Sequence, residues 1–430
     1  MPRPRPPSRV DVVTTPLFGI SWYGNPGDGT SIVAYCGGGG SAATGIKNFI
    51  TVRVAGEEPR DIPTGDMVGV ALTIVQNPMT SMLHLLVAMG TKVVRYNVFS
   101  GEQTGEIDAG VNVNALATNS MTDRLAVGCE TGEIFLYRIS DERMMTDTPI
   151  HSYVGHEKAV CALTFSPREN MLLSSAKDGT ARVWQNGNAV ATLTCSIEGP
   201  RRGPPPKRGA QVLVRGCAFG DLNGEMIYTV ASGRRGSAFL SKWQYNNESG
   251  TYECSQRTEC TAVPISAMSL SGDAGLLALG VVDGTIILWG IERWKPLKTF
   301  QEVHDLPVTC IAARPYPVPL KGEDSEDGGV QFHAVSASAD SQLAWLTLQR
   351  PPRRKKRSVG AGGESSFKST VNLFVKLGFL LWAFSPVAKE IWDKCEDKWD
   401  SSGFVKTLEC IRYEGLLAPH SRPGIQVPPY

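Results

Sequence analysis

The chain has 430 residues, a formal net charge of +1 and ten cysteines. This length exceeds the roughly 250–300 residues at which a single hydrophobic core stops growing, so repeats or several domains are expected. A net charge this close to zero argues against a chain-wide field for nucleic acid, and no nucleic-acid partner is expected. The cysteines show no CxxC spacing. That pattern argues against zinc sites and disulfide frameworks and favours free thiols in a reducing compartment.

Residues 1–16 combine a proline-rich arm with a short β-like run. The first ten residues, MPRPRPPSRV, have no apolar stretch behind the arginines, so no cleavable signal peptide is predicted. The prolines indicate a disordered arm. Residues 10–15, VDVVTT, are a candidate strand that would close a ring against the last repeat.

Residues 17–349 contain seven units in which β-like runs alternate with turns, most of them closed by an aromatic residue. The units are 17–54, 67–107, 111–139, 155–185, 214–252, 263–300 and 308–348. The fourth unit is the clearest, with Gly155-His156, an Asp178-Gly179 turn and Trp184. A period of about 40–45 residues with a GH…WD-like signature is typical of WD-repeat propellers. The predicted fold is therefore all-β, a seven-bladed WD-repeat β-propeller.

The propeller prediction assigns structural roles to its signature residues. Asp-Gly between apolar runs is a strong hairpin signal. The closing aromatics, such as Tyr96 and Trp184, are expected in the core against a neighbouring blade. His156 and Asp178 are expected to form a structural hydrogen-bond pair within a blade. Two insertions, residues 198–209 and 321–329, are predicted to be solvated loops. The alternative is that each insertion docks a partner.

The most unusual stretch is residues 36–54, CGGGGSAATGIKNFITVRV, in the first unit. Four consecutive glycines separate two β-like runs, and the connection is much longer than the roughly two to five residues of ordinary hairpins. A phosphate-binding loop would need a lysine where Ile46 stands, and a helix where FITVRV predicts a strand. Converging carbonyls would suit a hard cation, and an exposed Ile46 would suit insertion into a partner. The alternative is a long insertion without function.

No Ser-His-Asp set or paired carboxylates cluster in the sequence, so covalent catalysis is not expected. After residue 348 the composition changes. Residues 350–369 form a basic linker, whose RRKKR also suits a nuclear localisation or nucleic-acid patch. Residues 370–388 form an apolar run long enough for a single transmembrane helix, although it contains Lys376. An amphipathic helix on the membrane or a buried helix are the alternatives.

The charges that flank the apolar run predict an orientation. Basic residues dominate upstream, which places the propeller in the cytosol and residues 389–430 in a lumen. Cys395 and Cys410 could then form a disulfide in that tail.

The loop GGGGxxxTGIKN in the first blade, with a single C-terminal anchor, resembles one family. These are the endoplasmic-reticulum guanine nucleotide exchange factors for the Sar-type small GTPase that starts COPII coat assembly. The resemblance implies an endoplasmic-reticulum membrane protein whose loop binds a potassium ion and presses on the GTPase switch regions. Lys376 and the degraded repeats depart from the family pattern.

The same resemblance implies roles for individual loop residues. Ile46 would be the wedge, and Asn48 would brace the loop or contact the GTPase. Potassium would be held by backbone oxygens around Gly38, Gly39, Gly40, Ser41 and Thr44. Further contacts with the GTPase would come from Gly37, Gly45 and Lys47. Two rival functions are a non-catalytic trafficking adaptor on the same membrane and a nuclear WD-repeat scaffold that uses RRKKR.

Overall fold

The computed structural model describes residues 9–25, 29–40, 44–77, 80–119, 121, 123–139, 148–168, 171–197, 211–316 and 332–348. Over these ranges the chain forms seven antiparallel sheets of four strands each. The prediction of an all-β, seven-bladed propeller is therefore confirmed for this part of the chain. We number the sheets as blades 1–7 in the order in which their first strands occur.

The four strands of each blade are consecutive in the chain, except in blade 7. Blade 1 contains Leu17–Asn25 (β2), Thr30–Gly37 (β3), Phe49–Val54 (β4) and Arg60–Pro63 (β5). Blade 2 contains Ala71–Gln76 (β6), Leu83–Met89 (β7), Lys92–Asn97 (β8) and Gln103–Asp108 (β9). Blade 3 contains Val113–Thr118 (β10), Arg124–Cys129 (β11), Ile134–Arg138 (β12) and His151–Tyr153 (β13). Blade 4 contains Val160–Phe165 (β14), Leu172–Ala176 (β15), Thr180–Gln185 (β16) and Asn188–Thr194 (β17).

The remaining blades repeat this order, and the last one takes its outer strand from the N-terminus. Blade 5 contains Leu213–Phe219 (β18), Met226–Ser232 (β19), Ala238–Asn246 (β20) and Thr251–Thr261 (β21). Blade 6 contains Ile265–Leu270 (β22), Leu276–Val281 (β23), Ile286–Gly290 (β24) and Lys295–Phe300 (β25). Blade 7 contains Val308–Ala313 (β26), Ala334–Ser338 (β27), Gln342–Leu346 (β28) and Arg9–Val12 (β1).

The seven blades close into a ring through their first strands. Each first strand contacts the first strand of the next blade, and β26 of blade 7 contacts β2 of blade 1. One buried hydrophobic cluster lies at each of the seven junctions between neighbouring blades. A single small sheet cannot bury both of its faces, so stacking around the ring provides the core that each blade lacks.

Ring closure uses the N-terminal strand. β1 pairs antiparallel with β28, with Arg9 opposite Trp345 and Val12 opposite Gln342. Asp11 on β1 accepts hydrogen bonds from the Trp345 indole at 2.9 Å and from the Arg53 guanidinium at 3.0 Å, so it ties both edges of the junction together. The sequence analysis predicted this strand at residues 10–15. The strand ends at Val12, and the Val13 amide makes one further bond to the Ser341 carbonyl at 2.8 Å.

The closing aromatics are core residues with one exception. Those of blades 2 to 6 are buried, as predicted; they are Tyr96, Tyr137, Trp184, Trp243 and Trp289. Trp345 of blade 7 is only half-buried. Its ring meets Trp22 edge-on across the closure, with ring centroids 6.1 Å apart. The closing aromatic at the junction of blades 7 and 1 is therefore less buried than those of blades 2 to 6.

Several sequence-based expectations concern residues outside the described ranges. They are the two insertions at 198–209 and 321–329, the basic linker 350–369, the apolar run 370–388 and the tail 389–430 with Cys395 and Cys410. Within the described part of the chain, no helix has the length and apolar character needed to span a bilayer. The anchor, its orientation and the disulfide remain predictions.

Candidate functional site: the glycine loop of blade 1

The candidate site is the connection between β3 and β4, residues 38–48, which we call the glycine loop. The strand ladder on either side is regular, from Ile32 opposite Val54 to Gly37 opposite Phe49. Both strands are rich in apolar residues because their sheet packs between two neighbouring blades. Most of β3 and the middle of β4 are buried. The loop is therefore mounted on a rigid strand pair at the ring. Residues 41–43, which include Ser41, lie outside the described part of the loop.

The glycines at the start of the loop are required by close packing. A Cβ on Gly37 would lie 1.9 Å from the Pro16 carbonyl oxygen. A Cβ on Gly38 would lie 2.0 Å from Asn48 Oδ1, and one on Gly39 would lie 2.5 Å from Ile46 Cβ. Real Cβ atoms do not approach other atoms this closely. The outgoing and returning legs of the loop are therefore packed directly on each other, which only glycine permits.

Asn48 holds the two legs together. Its side-chain amide donates to the Gly40 carbonyl at 2.6 Å and to the Gly65 carbonyl at 2.8 Å, and its Oδ1 accepts the Gly40 amide at 3.0 Å. The residue is 4% exposed. Of the two roles that the sequence left open for Asn48, this geometry is that of a brace, because the buried amide is not available to a partner in this conformation.

The returning leg presents a short exposed segment from Thr44 to Lys47. The Ile46 amide donates to Thr44 Oγ1 at 3.3 Å, and Gly45 has φ of +68°, a left-handed conformation that favours glycine. Ile46 is 41% exposed although it is a large aliphatic residue. Its Cβ rests against Gly39, so the backbone beneath the side chain is supported while part of the side chain faces solvent.

The oxygen atoms near the start of the loop are neutral. Among the described residues there is no group of three or more His, Cys, Asp or Glu side chains that could hold a metal ion. The oxygens of Gly38, Gly39, Gly40 and Thr44 lie on the two packed legs, and the Gly40 carbonyl already accepts the Asn48 amide. Neutral carbonyl and hydroxyl oxygens are ligands of the kind that hard cations take. The donor chemistry is thus of a kind that a hard cation can use, and potassium stays a prediction.

His156 and Asp178 have the structural role predicted for them, as a hydrogen-bonded pair within blade 4. His156 Nδ1 lies 2.9 Å from Asp178 Oδ2, and His156 Nε2 lies 2.7 Å from Ser174 Oγ. The Trp184 indole donates to the same hydroxyl at 2.7 Å. Burial works against the charged form of Asp178, but hydrogen bonds from His156 and Thr180 hold the pKa of this carboxyl well below its usual range. The network ties β15, β16, the turn between them and the segment before β14 into one unit.

A second network of this kind was missed by sequence reasoning. In blade 7, His304 Nε2 lies 2.9 Å from Ser336 Oγ and His304 Nδ1 lies 3.2 Å from Asp340 Oδ2. Burial lowers the pKa of His304, and Asp340 opposes that shift. A spacing signal was present: His304 precedes Val308 at the start of its strand just as His156 precedes Val160. The insertion in blade 7 separates His304 from Asp340 and obscures the likeness.

Comparison with known proteins finds one WD-type repeat in the chain and similarity to several WD-repeat proteins. Residues 147–185 match the family WD domain, G-beta repeat. The chain is similar to COMPASS component SWD3 of Saccharomyces cerevisiae, with 25% identity over 154 residues, 35% of this chain and 44% of that protein. It is 25% identical to human WD repeat and HMG-box DNA-binding protein 1 over 187 residues, 42% of this chain and 15% of that protein.

A third similar protein is guanine nucleotide-exchange factor SEC12 of Mus musculus. It is 24% identical over 200 residues, which are 44% of each chain. The chain thus spans less than half the length of each of these three relatives. A chain in the crystal structure of the mitotic checkpoint complex superposes with a TM-score of 0.57 at 16% identity, covering 81% of this chain and 94% of that one. At this identity the likeness concerns the fold alone. This chain is therefore a seven-bladed β-propeller in which one repeat, with its histidine–aspartate network, matches the WD domain family.

Proposed function

We propose that the protein is a guanine nucleotide exchange factor for a Sar-type small GTPase at the endoplasmic reticulum membrane. On this proposal it promotes GDP release and so initiates COPII vesicle formation. The observation that carries the proposal is the presentation of Ile46, an exposed aliphatic side chain on a loop whose two legs are packed together and braced by Asn48. The similarity to the mouse exchange factor supports the same choice.

The proposed role of the loop follows from the rigidity of its backbone. A flexible loop would lose conformational freedom on binding, and that loss would weaken the complex. The described part of the glycine loop is already ordered by close packing at Gly38 and Gly39 and by three hydrogen bonds of Asn48. Ile46 would therefore act as a wedge that displaces a switch segment, with Gly45 and Lys47 beside it in the exposed segment and Gly37, buried at the end of β3, supporting the loop.

Exchange by this route needs no covalent chemistry from the propeller. If the factor binds the nucleotide-free GTPase more tightly than the GDP-bound form, linkage requires that GDP is held less tightly in the complex. Ile46 inserted near the switch regions would supply the difference in affinity between the two forms. The protein would thus be a regulator of a GTPase and not an enzyme in the strict sense.

Potassium is part of the proposal as a bound ion of the loop. The oxygens of Gly38, Gly39, Gly40 and Thr44 would hold it, together with Ser41, which lies outside the described residues. When bound, the ion would supply positive charge that holds neutral carbonyl dipoles in one arrangement. The brace at Asn48 acts on the same backbone from the buried side.

The membrane anchor belongs to the proposal through residues 370–388. An apolar run of this length is within the range of a transmembrane helix. The basic residues of 350–369 would keep the propeller on the cytosolic side, with residues 389–430 in the lumen. An anchor of this kind would confine activation of the GTPase to one membrane.

A scaffold function is the second candidate, because the other relatives favour it. The COMPASS component and the HMG-box protein match the chain at the same level of identity as the exchange factor does. A trafficking adaptor on the membrane predicts that GDP release is not accelerated. A nuclear scaffold predicts nuclear location and extraction by salt, whereas an anchored protein requires detergent.

The experiment is release of fluorescent GDP from a Sar-type GTPase by the full chain in liposomes. Ile46→Ala should lower the exchange rate about 10- to 100-fold, because burial of an isoleucine side chain in a partner is worth about 1.5–3 kcal/mol. Ile150→Ala is the matched control, since Ile150 is 38% exposed and lies outside the loop. It should leave the rate unchanged. Equal rates for wild type and Ile46→Ala would contradict the role of Ile46, and no acceleration by wild type would contradict the function.

A further inference from the structure

Apart from the glycine loop, one cavity in the described part of the chain has a lining whose charged residues are all cations. It has a volume of about 600 Å³ and lies where blades 4, 5, 6 and 7 meet. Its walls include Lys177 after β15, Arg215 on β18 and Arg234 after β19. Apolar residues from blades 5 and 6, among them Leu213 and Ile265, complete the lining. We call it the cationic cavity.

The charge of the cationic cavity is one-sided. None of the described residues that line it is acidic. Asp178, the neighbour of Lys177, directs its carboxylate to His156 and Thr180 within blade 4. Cations that share a partly enclosed space repel one another, and an anion between them relieves that repulsion. The lining of the cavity thus contains no negative charge to balance these cations, and an anionic ligand would supply it.

A second cavity of about 590 Å³ provides a contrast. It lies at the junction of blades 7 and 1 and also contains arginines, including Arg9 and Arg53. There, both of these arginines pair with Asp11, at 2.8 and 3.0 Å, and Glu57 and Glu58 are part of the lining. That cavity is balanced by its own carboxylates, so it shows no comparable preference for an anion.

A buried hydroxyl in the cationic cavity lacks a partner. Ser232, at the end of β19, is 1% exposed and lines the cavity, and its Oγ makes no hydrogen bond within the described part of the chain. A buried polar group without a partner costs about 1–3 kcal/mol, so such groups are rare in native structures. This Oγ has less than 1 Å² of accessible surface, so it is buried in the wall and is not presented to a ligand; the three cations define the site.

The frame around the cavity is held by backbone hydrogen bonds. The Lys177 amide donates to the Ala159 carbonyl at 3.0 Å, and the Gln211 side chain donates to the Lys177 carbonyl at 3.3 Å. On the opposite wall the Val282 amide donates to the Pro264 carbonyl at 3.1 Å. The backbone positions of the lining residues are therefore fixed before any ligand arrives.

The cavity opens on the same face of the ring as the glycine loop. Lys177, Arg234 and Val282 all follow the second strand of their blades, as the glycine loop does in blade 1. Since each blade repeats the same strand order around one axis, these connections leave the ring on the same side. Arg234 is exposed at the mouth. A protein docked on this face therefore meets the cavity at its surface.

We propose that the cationic cavity binds an acidic peptide segment of a protein partner. A carboxylate of the segment would be held by charge-assisted hydrogen bonds from Lys177, Arg215 and Arg234. The net charge of only +1 for the whole chain disfavours a nucleic acid as the occupant. The proposal is independent of exchange activity, since a scaffold would use the same site.

The test measures binding of a fluorescein-labelled penta-glutamate peptide to the full chain by anisotropy, at low and at high salt. Arg234→Gln and Lys177→Gln should each weaken binding about tenfold, as expected when one charge-assisted hydrogen bond is lost. Arg235→Gln is the matched control: Arg235 is the next residue, is equally an exposed arginine, and is not part of the lining. It should bind like wild type.

Ser232→Ala is a control inside the wall of the cavity. Its hydroxyl is too buried to reach the peptide, so the variant should bind like wild type while its free energy of unfolding is unchanged or higher. No peptide binding by wild type would overturn the proposal, as would equal losses in Arg234→Gln and Arg235→Gln. It would also be overturned if inorganic phosphate or a poly-dT oligonucleotide competed at lower concentration than unlabelled peptide, since the site would then serve a free anion or a nucleic acid.

Discussion

Replacement of Asn48 by alanine is the sharpest test of how the glycine loop is ordered. The substitution removes three hydrogen bonds, two to Gly40 and one to the Gly65 carbonyl. At about 1 kcal/mol each, their loss should cost about 3 kcal/mol of loop stability. Since about 1.4 kcal/mol corresponds to a factor of ten, the loop should open about 100-fold more often. Exchange on the GTPase should fall with it if the braced loop is the wedge.

Amide hydrogen exchange measures this opening directly. In wild type the Gly40 amide donates to Asn48 Oδ1, so it should be protected; in Asn48→Ala it should exchange about 100-fold faster. Ile46→Ala is the matched comparison, because this exposed side chain contributes little to folding and should leave Gly40 protected. The reasoning would be refuted if Gly40 exchanged at the same rate in wild type and Asn48→Ala.

Three further predictions concern the ring. The hydrogen-bonded Asp178 carboxyl has a lowered pKa, so the free energy of unfolding should fall as the pH drops below about 4, and Asp178→Asn should flatten that region of a urea-denaturation series. Asp11→Ala should destabilise the closure by about 2 kcal/mol through loss of charge-assisted bonds, including the one from Trp345, measured by urea denaturation with Arg9→Ala as the milder comparison. In a background with Cys395→Ser and Cys410→Ser, which removes the two thiols outside the described residues, Cys254 should react with DTNB before the buried thiols, and Cys254→Ser should remove that fast phase; fast labelling that persists in the triple variant would contradict the assignment.

Low reactivity of the buried thiols has a physical cause. Burial raises the pKa of Cys129, Cys217 and Cys310 to about 12, so the reactive thiolate is scarce near neutral pH. The described cysteines are all free. This agrees with the expectation of unpaired thiols for that part of the chain; the compartment stays a prediction.

The inner strands and their turns could be predicted because their signals are local. Blade 6 shows this well: β23 and β24 are apolar runs that end at an Asp-Gly turn and a tryptophan, and both strands are buried. Outer strands carry no such signal. Thr251–Thr261 is largely polar, and both it and Asn188–Thr194 are mostly exposed, so their sequence does not distinguish a strand from a loop. They pair because a neighbouring strand offers hydrogen bonds, not because of their own pattern.

For the glycine loop, the sequence by itself determined the location, the flanking strands and the residue types. The tertiary structure decided what the glycines do. They let two legs of the chain touch, and Pro16 and Gly65, which are distant in sequence from the glycine run, complete the contacts. Likewise, the fixed positions of Lys177, Arg215 and Arg234 around one cavity depend on how different blades meet. Periodicity along the chain specifies each blade, whereas contacts between residues far apart in sequence arise only when the blades pack into a ring.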